Sequence, residues 1–408
     1  MPTTPTPHGD CEISDLAGQI AHLSQVFAHC TLEPQHEGTG RTLNETTNDP
    51  PSIRQALIVA LNELLVKVQG PTRALIDMTN TSRVRLAAMR VVTQFDLAAS
   101  VPETGAISVR QLASIAAVDP FMLERVLRFA FSQGIFQEET PGSGEVSHTE
   151  LSRAIPVLAP WIRWVLSPIT VLPDLSLPDA LESSLSPGGG PSAAHLAFQR
   201  GFWDELRSRP PSEVAAFQAG LRSLSHAQTL CREGGVEDDV FRWEALENTL
   251  VIDVGGGDGQ SAIEGAKRNP AVHFLVQDLE ENHAKFLQIV PQDLSERVTF
   301  RVHDFFDPQP PAGPLPVTVF MKWVLHNWSH RQCVQILTNV LPLLTRTGSR
   351  LLIADYLLSD GAHIRAIDVT MMTLFGSGER TLGDIETMLG DVDKGSRSPR
   401  CGIRTNGT

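Results

Sequence analysis

The sequence predicts an α/β protein, a mostly parallel sheet with helices against it, preceded by a smaller helical module. Three observations carry this. Residues 248–259 read Asn-Thr-Leu-Val-Ile-Asp-Val-Gly-Gly-Gly-Asp-Gly, an apolar, β-branched run of the kind a parallel sheet buries on both faces, closed by a glycine turn. Beyond Gly259, strand and helix patterns alternate at a period that implies right-handed βαβ crossovers. Before it, residues 105–152 carry helix, turn, helix and two short extended segments around Pro141-Gly142-Ser143-Gly144, a winged-helix pattern.

The 408 residues allow two or three domains, and 41% apolar with 20% charged residues is an ordinary globular composition. A net charge of −14 argues against nucleic acid or an anionic membrane as partner. The five cysteines, Cys11, Cys30, Cys231, Cys333 and Cys401, form no CxxC pair and suggest neither a disulfide framework nor a metal site. No secretory leader pattern opens the chain, and the most apolar segment, 157–175, is broken by Pro160, Arg163, Pro168, Pro173 and Asp174, so a cytoplasmic protein is expected.

In chain order, residues 1–51 are rich in Thr, Pro, His, Gly and Asn and read as a flexible arm with one helix over 16–27. Residues 52–155 read as a winged-helix-like domain that packs or dimerises. Ala56, Ala60, Leu61, Leu64 and Leu65 recur at helical spacing, and another helix follows over 84–95. Ser108 with Gln111 fits a capping box, and Asp119 before Pro120 starts a second helix that Gly134 ends. Residues 101–155 hold four Arg and no Lys against seven Asp plus Glu, the wrong sign for a DNA reader. A Pro- and Ser-rich loop around 188–191 and helices near Phe202 and over 214–225 lead to the glycine strand. Residues 156–408 form the second domain, with strands at 272–277, 298–302, 317–321 and 350–354. Helices fall at 261–267 and 281–290, and Ser329 with Gln332 caps one whose apolar face runs from Cys333 to Leu344.

The glycine spacing narrows the ligand. A dinucleotide fold wants G-x-G-x-x-G, but Gln260 stands where the third glycine belongs. Asp278, 19 residues past Gly259, ends the second strand, where a carboxylate accepts from ribose hydroxyls. After the third strand, Asp304 could take an adenine amino group and Phe305 pack on its ring. Together these specify an adenosyl group without pyrophosphate, S-adenosylmethionine. His326 follows the fourth strand, at the carboxyl end where open α/β sheets bind ligands, and its side chain suits general-base work. Asp355 and Glu379 are the carboxylates that could orient it. Trp203, Phe217, Met371, Met372 and Phe375 are candidates for an apolar acceptor pocket.

Asp253-Val-Gly-Gly-Gly-Asp-Gly259, Gln277-Asp278-Leu279, Asp304-Phe305-Phe306, Lys322-Trp-Val-Leu-His326-Asn-Trp328-Ser329 and Gly378-Glu-Arg-Thr381 together resemble the class I S-adenosylmethionine-dependent O-methyltransferases of the caffeate/flavonoid type. Their fungal secondary-metabolite branch, which acts on aromatic polyketides, is the most similar. The resemblance implies a Rossmann-like sheet, a winged-helix dimerisation domain and a homodimer. It also implies His326 as general base with Asp355 and Glu379 flanking it. Cofactor contacts would come from Gly255, Gly256, Gly257, Asp278, Asp304, Phe305 and Lys322, with no metal.

The family ends in a helix, a turn and two apolar strands. Here residues 390–408 hold only Val392 and Ile403 as aliphatics, so the last two strands are expected to be missing and the fifth strand to form an edge. The alternative function that follows is a catalytically impaired, cofactor-binding relative acting as a regulatory subunit.

Overall fold

The computed structural model describes residues 7–32, 50–185, 190–231, 249–313, 315–359 and 361–395. The chain divides into two units, 1–153 and 154–408.

In the first unit, α1 (Pro7–Leu32) packs on α2 (Pro50–Gln69). The helix expected over 16–27 therefore extends across the whole proline-free interval from Pro7, because no proline interrupts its backbone ladder before Pro34. Residues 33–49 of the expected arm lie outside the described residues. Next come α3 (Pro71–Ile76), a π-helical turn over Asp77–Thr81, α4 (Ser82–Gln94) and α5 (Leu97–Ser100). The strand β1 (Ile107–Ser108) runs into α6 (Val109–Ala116), whose Ser108–Gln111 capping box forms in both directions. Asp119 caps α7 (Pro120–Ser132) by accepting from Met122 N at 2.8 Å. Strands β2 (Phe136–Gln137) and β3 (Glu145–His148) complete a small antiparallel sheet ordered β1-β3-β2.

The helix α8 (Glu150–Val165) leads into the second unit, followed by α9 (Pro168–Leu175), α10 (Leu177–Ser183), α11 (Ala193–Phe198), α12 (Phe202–Ser208) and α13 (Pro211–Cys231). No single helix among the described residues is long and apolar enough to cross a membrane. The segment 186–189 of the glycine- and proline-rich loop is outside the described residues.

Five parallel strands make the main sheet: β4 (Leu250–Val254), β5 (His273–Asp278), β6 (Val298–Val302), β7 (Val317–Lys322) and β8 (Arg350–Ala354), in the order β6-β5-β4-β7-β8. Alternate residues of each strand face opposite layers. Val251, Phe274, Val276, Val298 and Phe320 bury against α14 (Gln260–Arg268) and α15 (Glu280–Ile289). Ile252, Val254, Leu275, Val319 and Met321 bury on the other face against α16 (His330–Val340) and α18 (Leu382–Gly395). α17 (Ala362–Phe375) precedes α18 and packs on α9 and α11.

The chain moves outward from β4 to β6 on one side, then returns to place β7 on the other. β4 is thus the switch point, where open parallel sheets hold their ligands. At the far edge, Leu351, Leu352 and Ile353 of β8 are half-buried, and no strand is described beyond it. Met388 and Val392 of α18 are buried in the core, while residues 396–408 lie outside the described residues.

Candidate active site

The glycine turn leaves β4 at the switch point. Gly255 N and Gly256 N donate to Gln277 O at 2.8 and 3.3 Å, which binds the turn to the end of β5. Two of its glycines are required for different reasons. A Cβ on Gly256 would stand 2.6 Å from Asp253 Cγ, whereas one on Gly257, at φ +60, would meet open space. Gly257 therefore faces open space rather than protein. Its N–H donates to Asp278 Oδ2 at 2.7 Å, and the other oxygen of Asp278 accepts from Leu279 N at 2.7 Å and Asn282 Nδ2 at 2.8 Å. The turn and the second-strand acid expected to share a cofactor are in contact. Burial pushes the Asp278 carboxyl above the usual carboxylate range.

Behind the turn, Asp253 is fully buried, and its Oδ2 has no hydrogen-bond partner. Burial pushes its pKa up to about 7; Lys322 opposes the rise, and Asp278 and Asp258 add to it. Lys322 ends β7 and donates to Ser225 Oγ at 3.0 Å. The Phe305 ring lies beside the turn, 3.4 Å from where a Gly255 Cβ would stand. Asp304 is exposed and accepts from Phe306 N at 2.9 Å, closing its own turn, so it is not joined to the rest of the group.

On α13 the sequence points to a helix over 214–225 and to Phe217, but not to the polar face of the helix. Gln218, Arg222 and Ser225 share one face of it and reach Asn282 Oδ1 at 2.9 Å, Asp258 Oδ2 and Lys322 respectively. Their spacing of four and three residues was the available signal. It was obscured because each partner lies far away in sequence.

His326 sits in a 3₁₀ turn, Leu325–Asn327, directly after β7. The entry to that turn is bent by Trp323, a bulky residue held at φ 56. Trp323 N donates to Ala354 O at 3.1 Å, and Asn327 Nδ2 to Trp323 O at 3.0 Å. A positive φ in such a residue costs about 1–3 kcal/mol and persists where neighbouring contacts over-determine it. The turn is also clamped from outside. Arg380 donates to Leu325 O at 2.8 Å and to Trp328 O at 2.6 Å, and Ser377 Oγ donates to His326 O. The 377–380 loop reaches this place because Leu357 bridges Arg380 alongside the chain that leaves β8.

The imidazole Nδ1 of His326 bonds Glu379 Oε1 at 2.7 Å, with 9% of the His side chain exposed and none of the Glu. Glu379 is itself held, its N–H donating to Asp368 Oδ1 at 2.9 Å. Asp355 bonds the backbone of the turn rather than the ring. Its Oδ2 accepts from the His326 backbone N–H at 3.2 Å, because β8 ends one residue before it and alongside β7. Burial is the main cause raising the Asp355 carboxyl above its ordinary range. A buried imidazole with one nitrogen tied to a carboxylate has a fixed tautomer and can accept a proton on the other.

Three of the five expected pocket residues converge. Trp203 stacks on Phe375 with ring centroids 5.3 Å apart and packs edge-on against Phe217 at 5.9 Å. They surround Phe202 in a cluster with Trp164 and Leu374. Met371 and Met372 are half-buried, one turn earlier on α17. Among the described residues, no group of three His, Cys, Asp or Glu could hold a metal ion.

A profile described as an O-methyltransferase domain matches residues 192–392, which include the turn, His326 and Glu379. The solved structure of OxaC in complex with SAH and oxaline superposes with a TM-score of 0.74, covering 94% of each chain at 20% identity, a likeness of fold. The O-methyltransferase aunD of Aspergillus niger is 28% identical over 94% of each chain. The O-methyltransferase aoiO of Aspergillus oryzae is 30% identical, over 83% of this chain and 85% of its own length. Likeness of that extent in sequence, joined to the matching profile over the glycine turn and the histidine, is descent as well as shape: this chain belongs to the O-methyltransferase family.

Proposed function

We propose that the protein is an S-adenosylmethionine-dependent O-methyltransferase that methylates a phenolic hydroxyl of an aromatic, polyketide-derived secondary metabolite, with His326 as general base. The observation that carries the reading is the buried His326–Glu379 pair at the carboxyl end of β7, one strand from the glycine turn. The residues at the turn fit the cofactor: open space before Gly257, a backbone N–H and carboxylate from Gly257 and Asp278, and the Phe305 ring beside Gly255. S-adenosylmethionine supplies a methyl group made electrophilic by its sulfonium. His326 Nε2 takes the phenol proton as the oxygen attacks, and Glu379 holds Nδ1–H and stabilises the imidazolium that results. Asp304, Lys322 and Gly256 belong to the same cofactor site in this reading. Trp203, Phe217, Phe375, Met371 and Met372 line the acceptor side, where flat apolar surfaces suit a planar ring.

In the same reading, residues 52–155 form the dimerisation domain and 156–408 the catalytic domain. A row of exposed apolar side chains, among them Ile58, Leu61, Leu65, Leu75, Ile76 and Met78, supports a homodimer through the first unit.

Product mass spectrometry on a panel of hydroxylated aromatics, comparing wild type with His326→Ala, tests the chemistry. Loss of at least about a hundredfold in turnover is expected, in keeping with the usual contribution of a positioned base. Undiminished turnover in the variant would remove His326 from its role. Calorimetric cofactor binding without methylation of any acceptor would instead favour the regulatory reading.

A further inference from the structure

Three N–H groups converge on the Asp278 carboxyl. Gly257 N donates to Oδ2 at 2.7 Å, and Leu279 N and Asn282 Nδ2 donate to Oδ1 at 2.7 and 2.8 Å. Three donors and no acceptor are the surroundings of an ionised acid. Two of the three are backbone groups. The third is the Asn282 side chain, four residues on in α15.

Asn282 is itself held from two directions. Its Oδ1 accepts from Gln218 Nε2 of α13 at 2.9 Å and from Lys285 Nζ at 3.1 Å. A lysine ammonium has only donors and a carboxylate only acceptors. The amide therefore has one consistent orientation, with its oxygen toward Gln218 and Lys285 and its nitrogen toward Asp278.

From this network we infer that Asn282 is a positioning residue for Asp278, keeping its carboxylate ionised and in the rotamer that meets the ribose hydroxyls of the cofactor. Asp278 as the ribose contact belongs to the function proposed above, on which this role rests. Without the amide N–H, Oδ1 would keep only the Leu279 N–H, and the carboxyl could turn about its broad terminal torsion.

The electrostatics agree. Burial pushes the Asp278 carboxyl upward, and the Asn282 N–H is the largest effect opposing it, ahead of Leu279 and Gly257; Glu281 adds to the rise. The other charged groups around the acid are Lys285 on α15, Asp253 on β4, and Asp258 of the glycine turn with its partner Arg222 on α13. Lys322 on β7 acts on Asp253. From the β6 side, His303 meets Asp278 through its backbone, its N–H donating to Asp278 O at 3.0 Å.

Calorimetric titration of the full chain with S-adenosylhomocysteine, repeated across pH, is the test. In wild type, affinity should fall as the pH drops and Asp278 takes up a proton. Asn282→Leu removes the donor with little change in volume. Its Kd should rise by about tenfold, the usual worth of a hydrogen bond to a charged group. The pH at which affinity is lost should also move upward, because the charged form of Asp278 has lost a donor. The amino group of the ligand titrates alike in every variant, so the shift between variants is what is read.

Asn282→Asp preserves size and the acceptor for Gln218 and Lys285, but sets a second carboxylate against Asp278. At about pH 8 it should bind at least as weakly as Asn282→Leu, since like charges in contact oppose ionisation. An amide that only ties α15 to α13 would leave Asn282→Asp binding as wild type does, and that result overturns the inference. So does an Asn282→Leu variant with an unmoved pH midpoint. Should Asn282→Leu fail to fold, Asn282→Asp decides alone. Asp278→Ala with wild-type affinity would remove the ribose contact itself. Loss of affinity in Asp278→Ala, beside Asn282 variants that bind as wild type, would remove the positioning role alone.

Discussion

Glu379→Gln is the sharpest perturbation of the site, because it removes one charge and almost no volume. The carboxylate lies 2.7 Å from His326 Nδ1, and none of its side chain is exposed, so solvent does not screen the pair. Two unit charges about 4 Å apart at an effective dielectric of about 20 attract by about 4 kcal/mol, which sets a ceiling. Net hydrogen bonds to charged groups are worth about 1.5–3 kcal/mol. At 1.36 kcal/mol per decade this range corresponds to a fall in kcat of about 10- to 150-fold, provided the imidazolium forms in the transition state. Steady-state kinetics across pH is the assay. Loss of the negative charge disfavours the protonated base, so kcat/KM should drop with kcat. Cofactor affinity, measured by calorimetry, should not change, since Glu379 is a strand away from the glycine turn. A kcat within twofold of wild type would refute the reasoning.

Two glycine substitutions should separate binding from stability. In Gly257→Ala the new Cβ meets nothing in the protein, so thermal stability should fall only by the positive-φ strain of about 1–2 kcal/mol while cofactor binding is lost; a Gly257→Ala variant that binds normally would mean that space is not the cofactor's. In Gly265→Ala the Cβ would stand 2.6 Å from Phe274 Cζ, so the melting temperature should drop through overpacking by about 1–3 kcal/mol with affinity retained. Asp253→Asn should stabilise the cofactor-free protein at pH 8 and not at pH 4. The folded pKa of about 7 exceeds the ordinary carboxylate value of 3.8, so the folded chain holds the extra proton and its stability is lost as pH rises through that window. At 1.36 kcal/mol per pH unit the interval bounds the effect at about 4 kcal/mol. Identical melting curves for the variant and wild type at both pH values would show that Asp253 is not charged at a cost.

Local chemistry was legible in the chain. Ser108 with Gln111 and Ser329 with Gln332 close capping boxes because the partners sit three residues apart. The strand before Gly255 was readable because a strand buried on both faces must be apolar at every position but one, and that exception is Asp253. Gly257 and Asp278 could be paired from sequence because adjacent parallel strands end side by side.

The order of residue types thus specifies the sheet, its glycine turn and the presence of a histidine with two acids. How those acids divide their work follows from the folded arrangement. Glu379 and His326 are 53 residues apart and meet because Arg380 bridges Leu357 beyond β8, a pairing with no local signature. Asp355 looked equivalent on paper, yet it binds backbone instead of ring. Likewise the polar face of α13, set down before the sheet begins, acquires its meaning from Asp258, Asn282 and Lys322. Hydrogen bonds between distant segments depend on where folding carries them, and a pattern of residue types along the chain does not contain that distance.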